Sequence, residues 1–251
     1  MRRLTILSLS VLMLLCAAPV TYAQLKYEWK PVQIDSTWDT GKDMTANKII
    51  SKYEPMVTPL MEIVGYSAAE YSKERPESEL SDFTADILRE SAADAVGYNI
   101  DLAMMNFGGI RTSLPKGAVR VYDIMSIFPF NNYIVVLDVK GSDLKEIFNS
   151  MVQHRRYEVY SNVKMITENN KIVKLEVGGA PIKDNKIYKL ATIDFIYQGG
   201  DSFGLKGMTG NPVSTDILVR DAVARYISKM TERGETIKLK DENRVQIKDW
   251  K

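Results

Sequence analysis

The chain has 251 residues, with 33 basic and 32 acidic side chains, one histidine and one cysteine. Charge so close to balance leaves no footprint for a nucleic-acid polymer or an anionic membrane surface. A single histidine cannot furnish a two-metal hydrolytic centre, which draws on several His, Asp and Asn ligands, and no Gly-x-Ser-x-Gly elbow accompanies it for a Ser-His-Asp triad.

Residues 1–23 read as a secretory signal. Arg2 and Arg3 make a basic start, Leu4 to Ala18 is mostly apolar, and Thr21, Tyr22 and Ala23 offer a small-residue cleavage site. The run is short for a membrane span and no basic stop-transfer follows it. Cys16 is preceded by Leu15, whereas a lipidation site takes a small residue there. Cleavage after Ala23 leaves 228 residues without cysteine, so no disulfide, thiolate nucleophile or cysteine-ligated metal is available. It also leaves 31 basic against 32 acidic residues, a net charge of −1. The expected destination is the periplasm or the extracellular space, with no membrane span after signal cleavage.

The mature length suits one sizeable domain. Residues 24–63 read as a polar lead-in, with Trp29, Pro31 and Trp38, followed by a helix from about Thr45 to Val64. Ile49, Ile50, Tyr53, Met56, Val57 and Leu60 have helical spacing, and Pro55 and Pro59 predict a kink or break. The domain proper is expected over 64–251. Leu80, Phe83, Ile87 and Leu88 predict a helix from about Ser78 to Val96, stopped at Gly97. Leu102 to Met105 reads as a short buried strand, and Tyr133 to Val139 as a β-branched one. A turn at Gly141, Ser142 and Asp143 precedes a helix to about Val152, capped by Ser142 or Asp143. His154 falls at that helix's end, before Arg155 and Arg156. Val163 to Thr167 and Ile172 to Val177 alternate around Glu168–Lys171, a hairpin signal. A strand is expected over Ile187 to Phe195, a helix over Asp216 to Met230, and an edge strand within Thr236 to Ile247. The mixture implies a layered α+β domain.

Three segments concentrate polar and aromatic residues beside glycine or proline. They are Asn106 to Arg111, Phe128 to Asn131, and Asp194 to Asp201. Glycine lets backbone approach a ligand closely, aromatic faces stack on planar rings, and Asn, Arg and Asp anchor hydroxyl or phosphate groups. A lone phenylalanine is ordinarily core, a turn aspartate ordinarily caps its own loop, and a surface arginine ordinarily joins a weak ion pair.

These segments, in this order and with Lys140 and Gly141 between them, resemble the C-terminal domain of the 5'-nucleotidase family. The resemblance runs from about Val64 to Ile247. It implies a layered α/β/β/α single domain that binds a nucleotide or nucleoside. It further implies that Phe130 and Phe195 sandwich the base, that Asp201 holds the ribose with Gly199 and Gly200 letting the sugar approach, and that Asn106 and Arg111 lie toward the phosphate. Arg75 matches a further substrate-binding arginine. Where relatives often carry Gly-Asn in the next helix, this chain has Ser81 and Asp82, which would bring a negative charge toward the pocket mouth.

In that family the metal-bearing catalytic domain precedes this one, and residues 24–63 are too few to form it. The resemblance therefore implies a nucleotide-recognition unit with no metal or other cofactor of its own and no catalytic residue. Its partner would be a separately encoded metallophosphoesterase supplying divalent metals, the pair being a hydrolase of nucleotide catabolism. Two other readings stand beside it: a non-catalytic exported nucleoside- or nucleotide-binding protein, and a chain that hydrolyses phosphoesters alone.

Overall fold

The computed structural model describes residues 28–31, 44–202, 205, 210 and 212–249. The signal-like stretch 1–23 and most of the polar lead-in lie outside them. Helix α1 (Met44–Val57) contains Pro55 and ends earlier than expected. Pro59 opens a 3-10 turn, Thr58–Met61, because a proline has no N–H to continue an α-helical ladder. Strand β1 (Ile63–Ser67) follows, beginning where the last two residues of that helix were expected. The periodic side chains Tyr53, Met56 and Val57 are exposed, so this face is not part of the core.

Helix α2 (Glu79–Val96) begins at a capping box in which the Ser78 and Ser81 side chains each satisfy the other's backbone N–H, and Gly97 ends it. It buries Leu80, Ile87, Leu88 and Ala92. Strand β2 (Leu102–Met105) is wholly buried. Strand β3 (Gly117–Arg120) pairs antiparallel with β1 and runs directly into helix α3 (Val121–Ile127). Strand β4 (Tyr133–Lys140) passes without a gap into helix α4 (Gly141–Gln153), which has no side-chain cap. The turn expected at Gly141–Asp143 is therefore already helical. Leu144, Ile147, Phe148, Met151 and Val152 form the buried face of α4.

Strands β5 (Val159–Ser161), β6 (Val163–Glu168), β7 (Lys171–Val177), β8 (Ala180–Pro181) and β9 (Ile187–Ile193) follow. After a one-turn helix α5 (Asp194–Tyr197) come β10 (Val213–Leu218), α6 (Val219–Glu232) and β11 (Val245–Ile247). The hairpin β6–β7 has the expected position, and the tail supplies the expected edge strand, β11, parallel to β6. The central sheet has the order β10-β4-β9-β2-β5 and a second sheet the order β11-β6-β7-β8. Helix α2 packs across the central sheet and against α6, while α4 packs on β4 and β7. The architecture is the layered α+β fold read from the sequence. No helix among the described residues is long and apolar enough to cross a membrane.

The strand directions decide where the site forms. β4 and β9 are antiparallel, with Ile134 opposite Ile193. β2 and β9 are parallel, with Leu102 opposite Leu190. The segment entering β4, the segment leaving β9 and the segment leaving β2 therefore emerge at the same end of three adjacent strands. They are the three segments that the sequence singles out.

Candidate functional site: an aromatic-walled cavity at one sheet end

Strand β2 delivers Asn106 at its end. The chain then makes a 3-10 turn, Phe107–Gly109, anchored inward by buried Phe107 and Ile110. The Arg111 N–H donates to the Ile127 carbonyl at 2.9 Å, which brings Arg111 beside the segment that carries Phe130. Its guanidinium lies 5.7 Å from the Phe130 ring centroid and donates to the Gly108 carbonyl at 3.2 Å.

On the other side, β9 ends at Ile193 and not, as expected, at Phe195. Asp194 and Phe195 begin the one-turn helix. The Asp194 carboxylate accepts the Phe195 N–H at 2.8 Å and the Tyr133 N–H at 3.0 Å. One carboxylate thus ties the turn bearing Phe195 to the start of β4, just after Phe130. Its adjacency to both strand ends becomes visible only through the β4–β9 register.

Asn106, Gly108, Arg111, Phe130, Asn132, Phe195 and Asp201 line one cavity of about 230 Å3. Phe130 and Phe195 are 45% and 41% exposed, large apolar faces turned to solvent from a well-packed domain. Gly199 has φ +101°, a conformation that L side chains rarely adopt, and a Cβ on Gly200 would stand 2.5 Å from the Phe195 ring. These two glycines shape the turn and seat the ring. Asp201 has φ 53°, and its Oδ2 accepts from the Asn106 Nδ2 at 2.7 Å. Asn106 is only 6% exposed. Its Oδ1 is fully buried and has no partner among the described residues.

Arg75 lines a second cavity, of about 330 Å3, which shares Gly108 and Asp201 with the first. Its guanidinium stacks 4.4 Å from the Phe107 ring centroid and donates to the Tyr157 carbonyl. Behind it Glu158 is buried and accepts the Phe107 N–H at 2.5 Å. Burial raises the Glu158 carboxyl pKa, against the lowering pull of that hydrogen bond and of Arg75 and Arg156. Lys73 also reaches this loop, donating to the Ile110 carbonyl at 2.5 Å. Its pKa is lowered by burial and by the nearby charges of Arg111 and Arg75. Lys73, Asn132 and Glu158 are not marked by the sequence, and Asp194 is marked only as part of its segment, without a role. Only the pairing of strands brings them to the site.

Asp82 is not at the mouth of either cavity. It is buried on α2, 3.8 Å from the Arg244 Nε, and accepts from the Glu242 N–H at 3.3 Å. With Glu77 and Asp241 it forms the single cluster of three acidic or imidazole groups close enough to share an ion among the described residues. That cluster does not fit a hydrolytic metal centre. The Glu77 carboxylate is committed to the Arg244 and Val245 N–H groups, and Arg244 already supplies the counter-charge. His154 lies at the end of α4, with Nδ1 2.7 Å from the Ser150 carbonyl.

A family model for the 5'-nucleotidase C-terminal domain matches residues 58–207. Protein UshA of Yersinia enterocolitica is 29% identical over 142 residues, covering 55% of this chain and 26% of that protein. Endonuclease YhcR of Bacillus subtilis is 29% identical over 201 residues, covering 76% of this chain and 16% of that protein. Among solved structures, the 5'-nucleotidase precursor from Thermus thermophilus superposes with a TM-score of 0.72 at 23% identity, over 83% of this chain and 44% of that one. The NAD nucleotidase of Haemophilus influenzae gives 0.62 at 18% identity, over 88% and 46%. The structural likenesses establish the fold. The chain spans about a quarter or less of the length of these two curated relatives. The family match covers more than half of the chain, which belongs to the 5'-nucleotidase C-terminal domain family.

Proposed function

We propose that this chain is the nucleotide- or nucleoside-recognition part of a 5'-nucleotidase-type phosphoester hydrolase, exported to the periplasm or cell exterior. We further propose that a separately encoded metallophosphoesterase supplies the divalent metals and the activated water. The observation that carries the reading is one cavity walled by two half-exposed phenylalanines and the hydrogen-bonded Asn106–Asp201 pair. A base between Phe130 and Phe195 gains stacking from both faces with little dependence on its identity. The Asp201 carboxylate accepts from ribose hydroxyls, held in place by the Asn106 amide. Arg111, with Arg75 in the adjoining cavity, supplies fixed positive charge for a phosphate.

Calorimetric titration of the full chain with adenosine, AMP and UMP, beside Phe195→Ala, tests the reading. The wild type is expected to bind, and loss of one stacking face, about 1–3 kcal/mol, weakens the variant roughly 5- to 150-fold. Absence of binding at millimolar ligand, or equal binding by the variant, overturns it. Phosphate release from AMP with divalent metal, measured with and without a candidate metallophosphoesterase, then separates a recognition partner from a non-catalytic binding protein.

A further inference from the structure

Two aromatic walls grip a planar ring only if the backbone segments that carry them are held at a fixed spacing. Phe130 and Phe195 stand on different segments, one entering β4 and the other leaving β9, and both rings are half-exposed. Packing alone does little to lock either ring. A wall that must be ordered on binding returns part of its stacking gain as lost entropy.

Each segment is moored at its own root. The Val219 N–H donates to the Asn132 carbonyl at 3.0 Å, which ties the Phe130 segment to the start of α6. The Phe195 ring lies against Gly200, where a Cβ would stand 2.5 Å from it.

The link between the two segments is a side chain. The β4–β9 ladder ends with Ile134 opposite Ile193. One residue further on, the Asp194 carbonyl accepts the Gln198 N–H at 2.9 Å, so it has turned out of the sheet and into α5. The Asp194 carboxylate continues the connection instead. A single oxygen, Oδ1, accepts the Tyr133 N–H at 3.0 Å and the Phe195 N–H at 2.8 Å. Among the described residues this is the one hydrogen-bonded link between segments 128–133 and 194–201. Backbone N–H bonds to a carboxylate are roughly twice as strong as neutral ones. An aspartate at a helix start ordinarily satisfies the helix's own N–H groups. That role accounts for the bond from Phe195 but not for the bond from Tyr133, which belongs to another strand.

Resting on the nucleotide reading above, we infer that Asp194 is a positioning residue for base recognition. Its carboxylate sets the spacing of the Phe130 and Phe195 segments, and so decides whether a planar base stacks on both rings. Adenosine titrated into the full chain, followed by calorimetry and by the ultraviolet hypochromism of bound adenine, is the test. The proteins compared are wild type, Asp194→Ala and Asp194→Asn, each with a thermal melt.

Asp194→Ala is expected to bind about tenfold more weakly and to show a clearly smaller hypochromism at saturation. Asp194→Asn keeps an acceptor oxygen for both N–H groups. It is expected to restore the hypochromism and to bring Kd within about threefold of wild type. A purely structural role would lower the melting temperature of Asp194→Ala and leave the hypochromism of bound adenine unchanged. Should Asp194→Ala fail to fold, Tyr133→Pro makes the same test from the other end. It deletes the N–H at the first residue of β4, a position where proline is tolerated. If wild type and Asp194→Ala bind alike, or the variant binds more weakly with full hypochromism, the inference fails and the nucleotide reading stands. If Asp194→Asn behaves as Asp194→Ala, the assignment to the shared acceptor oxygen fails. If the wild type does not bind adenosine, the nucleotide reading fails and takes the inference with it.

Discussion

Replacing Gly200 with alanine separates the cost to the fold from the cost to the site. The new Cβ would stand 2.5 Å from the Cε1 and Cζ atoms of Phe195, well inside any real carbon–carbon contact. Gly200 is outside the left-handed region, unlike Gly199, so the alanine backbone itself is unstrained. The conflict is resolved by moving the ring. Phe195 is 41% exposed, so it can swing outward with little loss of buried area, and the stability change should stay near 1 kcal/mol or below. The stacking face, however, leaves its place in the cavity wall. Losing that face is worth about 1–3 kcal/mol, roughly a 5- to 150-fold weaker Kd. The assay is calorimetric titration with adenosine beside a thermal melt of the same preparation. A double-mutant cycle with Phe195→Ala completes it, because once the ring is gone Gly200→Ala should cost nothing more. The reasoning is refuted if Gly200→Ala binds as wild type, or if it weakens binding equally in the Phe195→Ala background.

Two further predictions concern the buried charge network beneath α2. Burial, aided by a hydrogen bond to Glu77 and opposed by Arg244, pushes the Asp82 carboxyl up to about 9. A raised pKa means that the folded state holds a proton that the unfolded chain releases from about pH 4 upward. Stability from this group is complete below the unfolded pKa and falls by up to about 1.4 kcal/mol per pH unit as pH rises toward the folded value. Asp82→Asn keeps the donor and acceptor without titrating, so its melting temperature should exceed that of wild type at pH 8, with the gap closing near pH 4. Parallel melting curves at both pH values would refute the assignment. Arg244 lies 2.6 Å from Asp86 and donates to the Tyr160 carbonyl at 2.7 Å. Arg244→Ala removes these bonds and leaves the buried Tyr160 carbonyl without that donor, which should cost about 1–3 kcal/mol, read as a lower denaturation midpoint in urea. A change below 1 kcal/mol, as for an exposed pair, would show that the network contributes little.

Five of the eight site residues read from the sequence, Asn106, Arg111, Phe130, Phe195 and Asp201, meet in one cavity. They were legible because each sits in a short segment whose composition is wrong for a core: glycine, asparagine or aspartate beside an aromatic. Asp194 stands in one of these segments, but its role, like that of Glu158, was not legible. Each acts by accepting a backbone N–H far away in sequence, from Tyr133 and from Phe107, and no local pattern announces such a partner. The same limit explains the misread ends of elements. The apolar spacing that ends at Leu60 extends the expected helix to Val64, yet pairing with β3 gives Ile63–Ser67 a ladder that spacing alone cannot reveal. Asp82 was drawn toward the pocket by position in a motif, whereas the helix turns it inward to Arg244. The side chains that face a ligand are marked by their chemistry, and those that hold them in place only by topology.

The perturbed groups near the cavities also bear on what the domain does. A general base needs a raised pKa and a free lone pair aimed at a reacting proton. Glu158 has the first, but its Oε2 is spent on the Phe107 N–H and both of its oxygens face arginines. Lys73, its pKa lowered, donates to the Ile110 carbonyl. These two groups tie the Asn106–Arg111 loop to β5 and to the loop before α2, holding Arg75 and Arg111 at fixed distances across the turn. Their shifts come first from burial; the charges of Arg111 and Arg75 add to it at Lys73, and those of Arg75 and Arg156 oppose it at Glu158. Fixed positive charge of this kind is preorganised for an anion. Glu158 and Lys73 are committed to backbone, and the aromatic cavity is walled by Phe130, Phe195, Arg111 and the Asn106–Asp201 pair.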